Sequence, residues 1–352
     1  MQKITALGLM SGSSLDGLDL ALCSFWEVDN KWRYEILATE HEPYTEDFKS
    51  QLALAGSRSA IELLRLDRTF ALLMADAVNR FMQKYDCHPD LLASHGHTVF
   101  HQPEEGLTLQ IGCGAVLAAK CNITTICDFR TTDIALGGQG APLVPVGDKL
   151  LFNQYDACLN LGGISNISFQ EDGKLTAFDI SLCNMPLNAL AFQLGKAYDE
   201  NGAAAKQGRL YLPLFEQLNA LPYFTQKGAK SLSREWYEQF FLPLLKKQDI
   251  SVYDQLRTVT EHIACQIAKY IPVNANVLVT GGGAKNSFLI ELLQSQTTAK
   301  IILPDEKLID FKEAVLFAFL GVLRFLEREN CLNEVTGATR NCSSGCVYFA
   351  SR

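Results

Sequence analysis

The sequence predicts an α/β protein made of two similar domains, each lending one turn to a shared cleft. Three observations predict it. Strand-like and helix-like segments alternate along 352 residues, a length that suits two domains or one large α/β unit. A strand, a small polar turn with glycine and a second strand occupy residues 4–23. The same design returns at 157–169, about 150 residues later, as a repeat of architecture and not of residues.

Composition narrows the function. Apolar residues make up 48% and charged residues 20%, as in ordinary soluble globular chains. A net charge of −8 argues against non-specific binding to nucleic acid or to an anionic membrane, which needs basic surface. An anionic ligand would then need local N–H groups, a cation or a few placed basic residues. No run of 18 apolar residues occurs, so no membrane span is expected. The opening MQKITALGLM turns polar too soon for a signal peptide. Eleven cysteines in such a chain read as reduced thiols of a cytoplasmic protein. Cys342 and Cys346 are close, but their x3 spacing lacks a second ligand pair, so plain thiols are expected there and not a metal site.

The elements follow in order. Residues 4–9 read as a strand, and at 17–23 Leu18, Leu20 and Leu22 alternate with Asp19, Ala21 and Cys23, the period of a second strand. Strand–turn–strand differs from the strand–loop–helix of the Rossmann and Walker phosphate loops. Residues 59–84 carry Leu66, Phe70, Leu73, Ala77 and Phe81 at helical spacing. A buried strand at 90–101 ending in a polar loop, a short helix near 114–120 and a strand at 122–129 follow. The Gly/Pro-rich run 136–145 marks a domain change. The expected division is therefore 1–135, with a C-terminal return at about 329–352, and 136–328. The second part continues with helices at 184–197, 211–220, 234–246 and 253–270. A strand, a glycine triplet and a helix span 275–295, and a strand at 300–304 and a helix at 311–328 close it.

Three turns suit phosphate. Ser11-Gly12-Ser13-Ser14 offers N–H groups and hydroxyls, and Asp16 and Asp19 suit Mg²⁺ held directly or through water. The same residues read equally as a Ser/Gly hairpin with solvated acids. Gly162-Gly163-Ile164-Ser165-Asn166 has the same double reading. Gly281-Gly282-Gly283 lets a flat ligand approach the backbone at a helix start, or is a tight turn in which Asn286 caps the helix.

Other side chains suit catalysis or sugar binding. Asp179 is expected at the end of an apolar strand, as a general base or as the cap of the next helix. His95, His97 and His101 have a spacing that would share one strand face, with polar contacts favoured over metal. Gln110 comes from a strand end. Arg130 suits a carboxylate ligand, or pairs with Asp128 or Asp133. Glu313 stands on an apolar helix and either points into the cleft or favours the helix dipole at an exposed first turn.

The motifs GLMSGSSLDGLD, SHGHTVFH, LQIG, DFRTTDIALGGQGAPLVP, LNLGGISNIS, FDI, VTGGGAKN and KEAVLFAFL, in this order, resemble the anhydro-N-acetylmuramic acid kinases over nearly the whole chain. The resemblance implies two actin-like (ribonuclease H-like) domains with a nucleotide cleft between them. It implies ATP with Mg²⁺, and an anhydro amino sugar opened by water and phosphorylated on its 6-oxygen. It further implies a homodimer, a role in cell-wall recycling, and neither nucleic acid nor membrane as partner. Carried onto this chain, Gly12, Ser13, Ser14, Leu15, Asp16, Gly17, Leu18 and Asp19 form the first phosphate segment. Gly162, Gly163 and Asn166 form the second, and Gly281, Gly282, Gly283 and Asn286 the adenosine segment. Asp179 matches the catalytic aspartate, while His95, Gln110, Arg130, Asn184 and Glu313 fall on the sugar side.

The chain departs from the family where Ser181-Leu182-Cys183 replaces Gly-Pro-Gly, so side chains are expected to crowd the ligand there. Ser13 replaces threonine, His97 a glutamine, and Cys113 an asparagine or acid. These departures keep two alternatives open: a kinase for another amino or anhydro sugar, and a nucleotide- or sugar-binding sensor with weak turnover. The retained Asp179 and Asn184 count against the sensor.

Overall fold

The computed structural model describes residues 3–12, 14–226 and 230–350. The chain divides into two compact units, Met1–Leu151 with Phe311–Arg352, and Phe152–Asp310. The sequence reading placed these boundaries at 135/136 and 328/329. The Gly/Pro-rich run stays with the first unit because it is bonded there. Gln139 N donates to Thr336 O at 2.8 Å, and Thr339 N to Leu136 O at 3.0 Å.

In the first unit, β1 (Ile4–Met10), β2 (Gly17–Val28) and β3 (Lys31–Pro43) form an antiparallel meander. β3 was not anticipated; its signal was the pair Asp29-Asn30, both at positive φ, which makes the two-residue turn joining β2 to β3. β4 (Leu91–Ser94) runs parallel to β1. The expected strand at 90–101 is two strands, because Gly96 turns the chain at φ +71° and β5 (His97–Gln102) pairs elsewhere, with β6 (Leu107–Ile111). β7 (Thr125–Cys127), shorter than expected, runs parallel to β4.

Leu7, Leu9, Leu18 and Leu20 meet Phe70, Met74, Val78 and Phe81 of the helix Ala60–Tyr85 in one core. That helix starts where a capping box forms between Ser59 and Glu62 and stops at left-handed Asp86. On the opposite face, a Cβ at Gly8 would strike the backbone of Ala314, so glycine lets the later helix lie against β1.

The second unit repeats the plan. β8 (Ala157–Leu161), β9 (Ile164–Glu171) and β10 (Lys174–Leu182) form an antiparallel meander. β11 (Asn276–Thr280) runs parallel to β8, and β12 (Lys300–Ile302) parallel to β11. The sheet order is β10-β9-β8-β11-β12, matching β3-β2-β1-β4-β7 in the first unit, to which β13 (Cys346–Tyr348) adds an edge strand. The α/β class and the repeated design are thus observed directly.

The helix Val252–Ala268 buries Leu256, Val259, Ile263 and Ile267 in the core of this unit. The segment expected as one helix at 234–246 contains a π-helical turn, Tyr237–Phe241, between two short α pieces. No described helix is long and apolar enough to cross a membrane.

Candidate active site

The first hairpin turn is tied at both ends. Ser11 is buried; its Oγ accepts from the Tyr44 hydroxyl at 2.8 Å and lies 3.4 Å from His97 Nδ1. Leu15 adopts φ 60°, an uncommon left-handed state for a leucine, in the turn closed by Leu15 N on Gly12 O. Asp16 Oδ1 accepts from Ser14 Oγ at 2.6 Å and from Gly17 N at 3.0 Å. Ser13 lies outside the described residues. Gly17 has a packing reason of its own, since a Cβ there would sit 2.5 Å from Glu42 O on β3. Leu18 is a core residue whose side chain is fully buried. Asp19 Oδ1 lies 2.7 Å from His41 Nδ1.

The three grouped histidines do not share a face. His95 precedes β5, and a bulge between Thr98 and Phe100 breaks the alternation after His97. His97 faces Ser11, while His101 Nδ1 lies 3.3 Å from Thr108 Oγ1. Among the described residues, no metal-capable cluster contains any of them.

His95 and Gln110 line a pocket of about 500 Å³ in the first unit, together with Asp67, Asp128, Thr131 and Tyr348. Gln110 Nε2 donates to Thr108 Oγ1 at 2.8 Å, and its Oε1 is buried with no partner among the described residues. Such an atom is an unfilled acceptor for a ligand donor. Asp67 shapes the wall by accepting from Gly112 N at 2.6 Å.

Arg130 stands behind His95. Its Nη1 donates to Gly140 O at 2.7 Å, while Nε and Nη2 lie 3.2 and 2.8 Å from His95 Nε2. It makes no ion pair with Asp128 or Asp133. Burial lowers its pKa to about 10, which leaves it charged at neutral pH. Glu313 is exposed by surface area, yet enough protein surrounds it to raise its carboxyl pKa; Asp19 adds to the rise, and Arg130 and Lys312 oppose it. The neighbouring Lys312 is taken up by Asp148 at 2.8 Å in a buried ion pair.

In the second unit, a polar row crosses the sheet. Thr280, Asn160, Asn166 and Asp179 are register partners on β11, β8, β9 and β10. Register partners carry their side chains on the same face. Asp179 is therefore not at a strand end, because β10 continues through a bulge to Leu182. Nor does it cap the next helix. Its Oδ2 accepts from Leu232 N at 2.9 Å, and its carbonyl accepts from the Tyr223 hydroxyl at 2.6 Å. Burial raises its pKa, and the Leu232 N–H opposes the rise. Its Oδ1 has no partner among the described residues, which leaves one carboxylate oxygen for a ligand.

Gly162 and Gly163 close the turn between β8 and β9, and their carbonyls accept from Cys183, Asn184 and Met185 N at 2.9–3.2 Å. These contacts seat the helix Asn184–Phe192. Asn184 Nδ2 donates to Leu161 O at 3.0 Å, and a Cβ at Gly283 would meet Asn184 Oδ1 at 3.0 Å, so Asn184 borders the glycine triplet. Gly281 has φ +81°, and a Cβ there would fall 2.6 Å from Asn160 Oδ1. Gly282 is the open member, with no described residue nearer to such a Cβ than Asn184 at 3.6 Å. Asn286 caps the helix Ser287–Gln296 by accepting from Leu289 N at 3.1 Å.

The side chains at 181–183, expected to crowd a ligand, are turned into the protein interior. Ser181, Leu182 and Cys183 are each 0% exposed, and Leu182 and Cys183 belong to the core of this unit. Sequence reasoning missed Tyr44, Asp67, Asn160 and Thr280. Only Asn160 left a trace, as a polar residue inside the apolar strand beside Gly162.

Residues 4–350 match the family model described as "Anhydro-N-acetylmuramic acid kinase". Curated relatives bearing that name agree. The protein of Mannheimia succiniciproducens is 36% identical over 99% of this chain and 100% of its own. That of Photobacterium profundum is 36% identical over 98% of each chain. That of Vibrio cholerae is 34% identical over 97% of this chain and 98% of its own. Full-length likeness at this level, joined to the motif-bearing hairpins and the half-free Asp179, places the chain in the anhydro-N-acetylmuramic acid kinase family.

Proposed function

We propose that this phosphotransferase opens 1,6-anhydro-N-acetylmuramic acid with water and phosphorylates its 6-oxygen from ATP, giving N-acetylmuramic acid 6-phosphate. The observation that carries the reading is Asp179: half-buried, with one carboxylate oxygen anchored by Leu232 N and the other without a partner among the described residues. A base needs that combination of fixed orientation and a free lone pair. Asp179 would take the proton of a water attacking the anomeric carbon. The bond from that carbon to the 6-oxygen breaks, and the freed oxygen attacks the γ-phosphorus as ADP leaves. A positioned base contributes about 10²–10⁴-fold.

The pocket bearing His95 and the unfilled Gln110 Oε1 supports binding of the amino sugar in the first unit. Arg130 acts there through His95, and Asn184 and Glu313 are proposed as further sugar-side groups. The turns Gly12–Asp19, Gly162–Asn166 and Gly281–Gly283 are proposed to bind ATP, with Asn286 shaping the last as a helix cap.

A hard cation fits the first turn, where Asp16 is exposed and keeps one carboxylate oxygen without a partner among the described residues. Mg²⁺, held by Asp16 and Asp19 through phosphate oxygens and water, would supply charge neutralisation for phosphoryl transfer.

The test is mass spectrometry of the product made from anhydro-sugar and ATP in ¹⁸O-water. One label on carbon 1 and a single phosphate are expected. An unlabelled sugar, or label in the phosphate, would overturn the reading. A panel of other amino and anhydro sugars assayed for ATP consumption checks the substrate.

A further inference from the structure

We infer that Asp133, Cys331 and Cys342 form a site for one thiophilic divalent ion of the zinc class, within the first unit and separate from the proposed chemistry. One donor atom from each of these side chains lies within 4.8 Å of the other two. The sequence reading expected plain thiols at Cys342 and Cys346, whereas the fold sets Cys342 directly against Cys331. Cys331 and Cys342 form an isolated antiparallel bridge and exchange both backbone hydrogen bonds at 3.1 Å. Directly opposed residues send their side chains to the same face, so both sulfurs project together. Cys331 Sγ already donates to Asp133 Oδ1 at 3.1 Å.

A second observation points to a cation. Asp133 is a carboxylate only 1% exposed, and no basic side chain pairs with it among the described residues. Its Oδ2 accepts from Gly140 N at 2.7 Å and its Oδ1 from Thr336 Oγ1 at 2.7 Å and from Cys331, all neutral donors. A buried charge compensated only by neutral donors is costly. Two sulfurs with one carboxylate is a donor set for Zn²⁺ and its soft neighbours, and a poor one for Mg²⁺ or Ca²⁺, which take oxygen throughout. Three protein ligands leave a fourth position for water. Binding displaces one proton from each thiol, so a Zn²⁺ ion enters as two protons leave, with no oxidation.

The bound ion ties the segment 331–342 to the helix Thr131–Ala135. Through Gly140, which Asp133 and Arg130 both grip, it also steadies the arginine behind His95.

The test titrates the full chain, reduced with a phosphine, with Co²⁺ as a spectroscopic probe. One equivalent should bind, with sulfur-to-cobalt charge transfer and the strong visible bands of a tetrahedral site, and Zn²⁺ should displace it. Cys331→Ser and Cys342→Ser should each abolish these bands, while Cys346→Ser should leave them. Thermal melting of the unaltered chain with and without one equivalent of Zn²⁺ needs no variant, and a rise in the midpoint is expected. Absence of a stoichiometric thiolate–cobalt spectrum, its survival in Cys342→Ser, an unmoved midpoint, or a native 331–342 disulfide in the unreduced chain would each overturn the proposal.

Discussion

Arg130 holds His95 in one protonation state: Nε and Nη2 of the guanidinium lie 3.2 and 2.8 Å from His95 Nε2, while His95 Nδ1 lies 2.9 Å from Gly96 O. A guanidinium only donates, so Nε2 must carry the lone pair and Nδ1 the proton, which goes to the Gly96 carbonyl. Burial, reinforced by the Arg130 charge, pushes the His95 pKa down to about 3. The ring is therefore neutral and oriented at the pocket wall. Arg130→Lys keeps the charge but cannot reach both His95 and Gly140 with planar donors. Losing charge-assisted hydrogen bonds of about 1.5–3 kcal/mol should raise the KM for sugar roughly ten- to a hundredfold, with a smaller change in kcat. Steady-state kinetics against sugar and ATP separately read this, and an unchanged sugar KM would remove Arg130 from the binding role.

Asp179→Asn keeps the hydrogen bond from Leu232 N and removes the base. Turnover should fall by about 10²–10⁴-fold. ATP affinity, measured by calorimetry, should stay within a few fold. Because burial raises the Asp179 pKa, the acid limb of the rate profile should lie above the ordinary carboxylate range. Full activity in Asp179→Asn would end its assignment as the base.

The glycine turns separate packing from ligand contact. Gly281→Ala combines a left-handed φ with a close contact on Asn160, and strain of that kind costs about 1–3 kcal/mol. A lower melting temperature is expected. Gly163→Ala meets nothing within 4 Å among the described residues, so stability should hardly change. If Gly163 approaches a phosphate, the KM for ATP should rise all the same. Wild-type kinetics in Gly163→Ala would take that turn out of the nucleotide site.

Acid should weaken the fold through two buried histidines. Burial pushes the pKa of His262, like that of His95, down to about 3. An unfolded histidine takes a proton near pH 6.5 and these two do not, so their stabilising contribution is complete above about pH 6.5 and declines as pH falls from there toward 3. The raised carboxyls of Asp179 and Glu313 act in the opposite direction, which makes a variant the clean reading. Urea midpoints from neutrality to about pH 4.5 should fall for the unaltered chain and fall less steeply for His262→Gln. Equal slopes would remove His262 as a source of the acid sensitivity.

Much of the fold was legible from the amino acids. The alternation Leu18, Leu20, Leu22 and the spacing from Leu66 to Phe81 are local periodicities, and local periodicity sets which face of a strand or helix is apolar. The glycine runs marked the turns for the same reason, since φ preference belongs to the residue itself. These features carried the α/β class, the repeated hairpin and the family. Distant pairing left no such mark. Whether Asp179 ends its strand or sits opposite Asn166 depends on register across the sheet. Whether Arg130 grips an acid or His95 depends on which loop Gly140 occupies. Whether Cys342 meets Cys346 or Cys331 depends on how the last residues return. Each is a contact between chain segments far apart or folded back on themselves, chosen by the packing of everything between them, so only the tertiary structure could decide it.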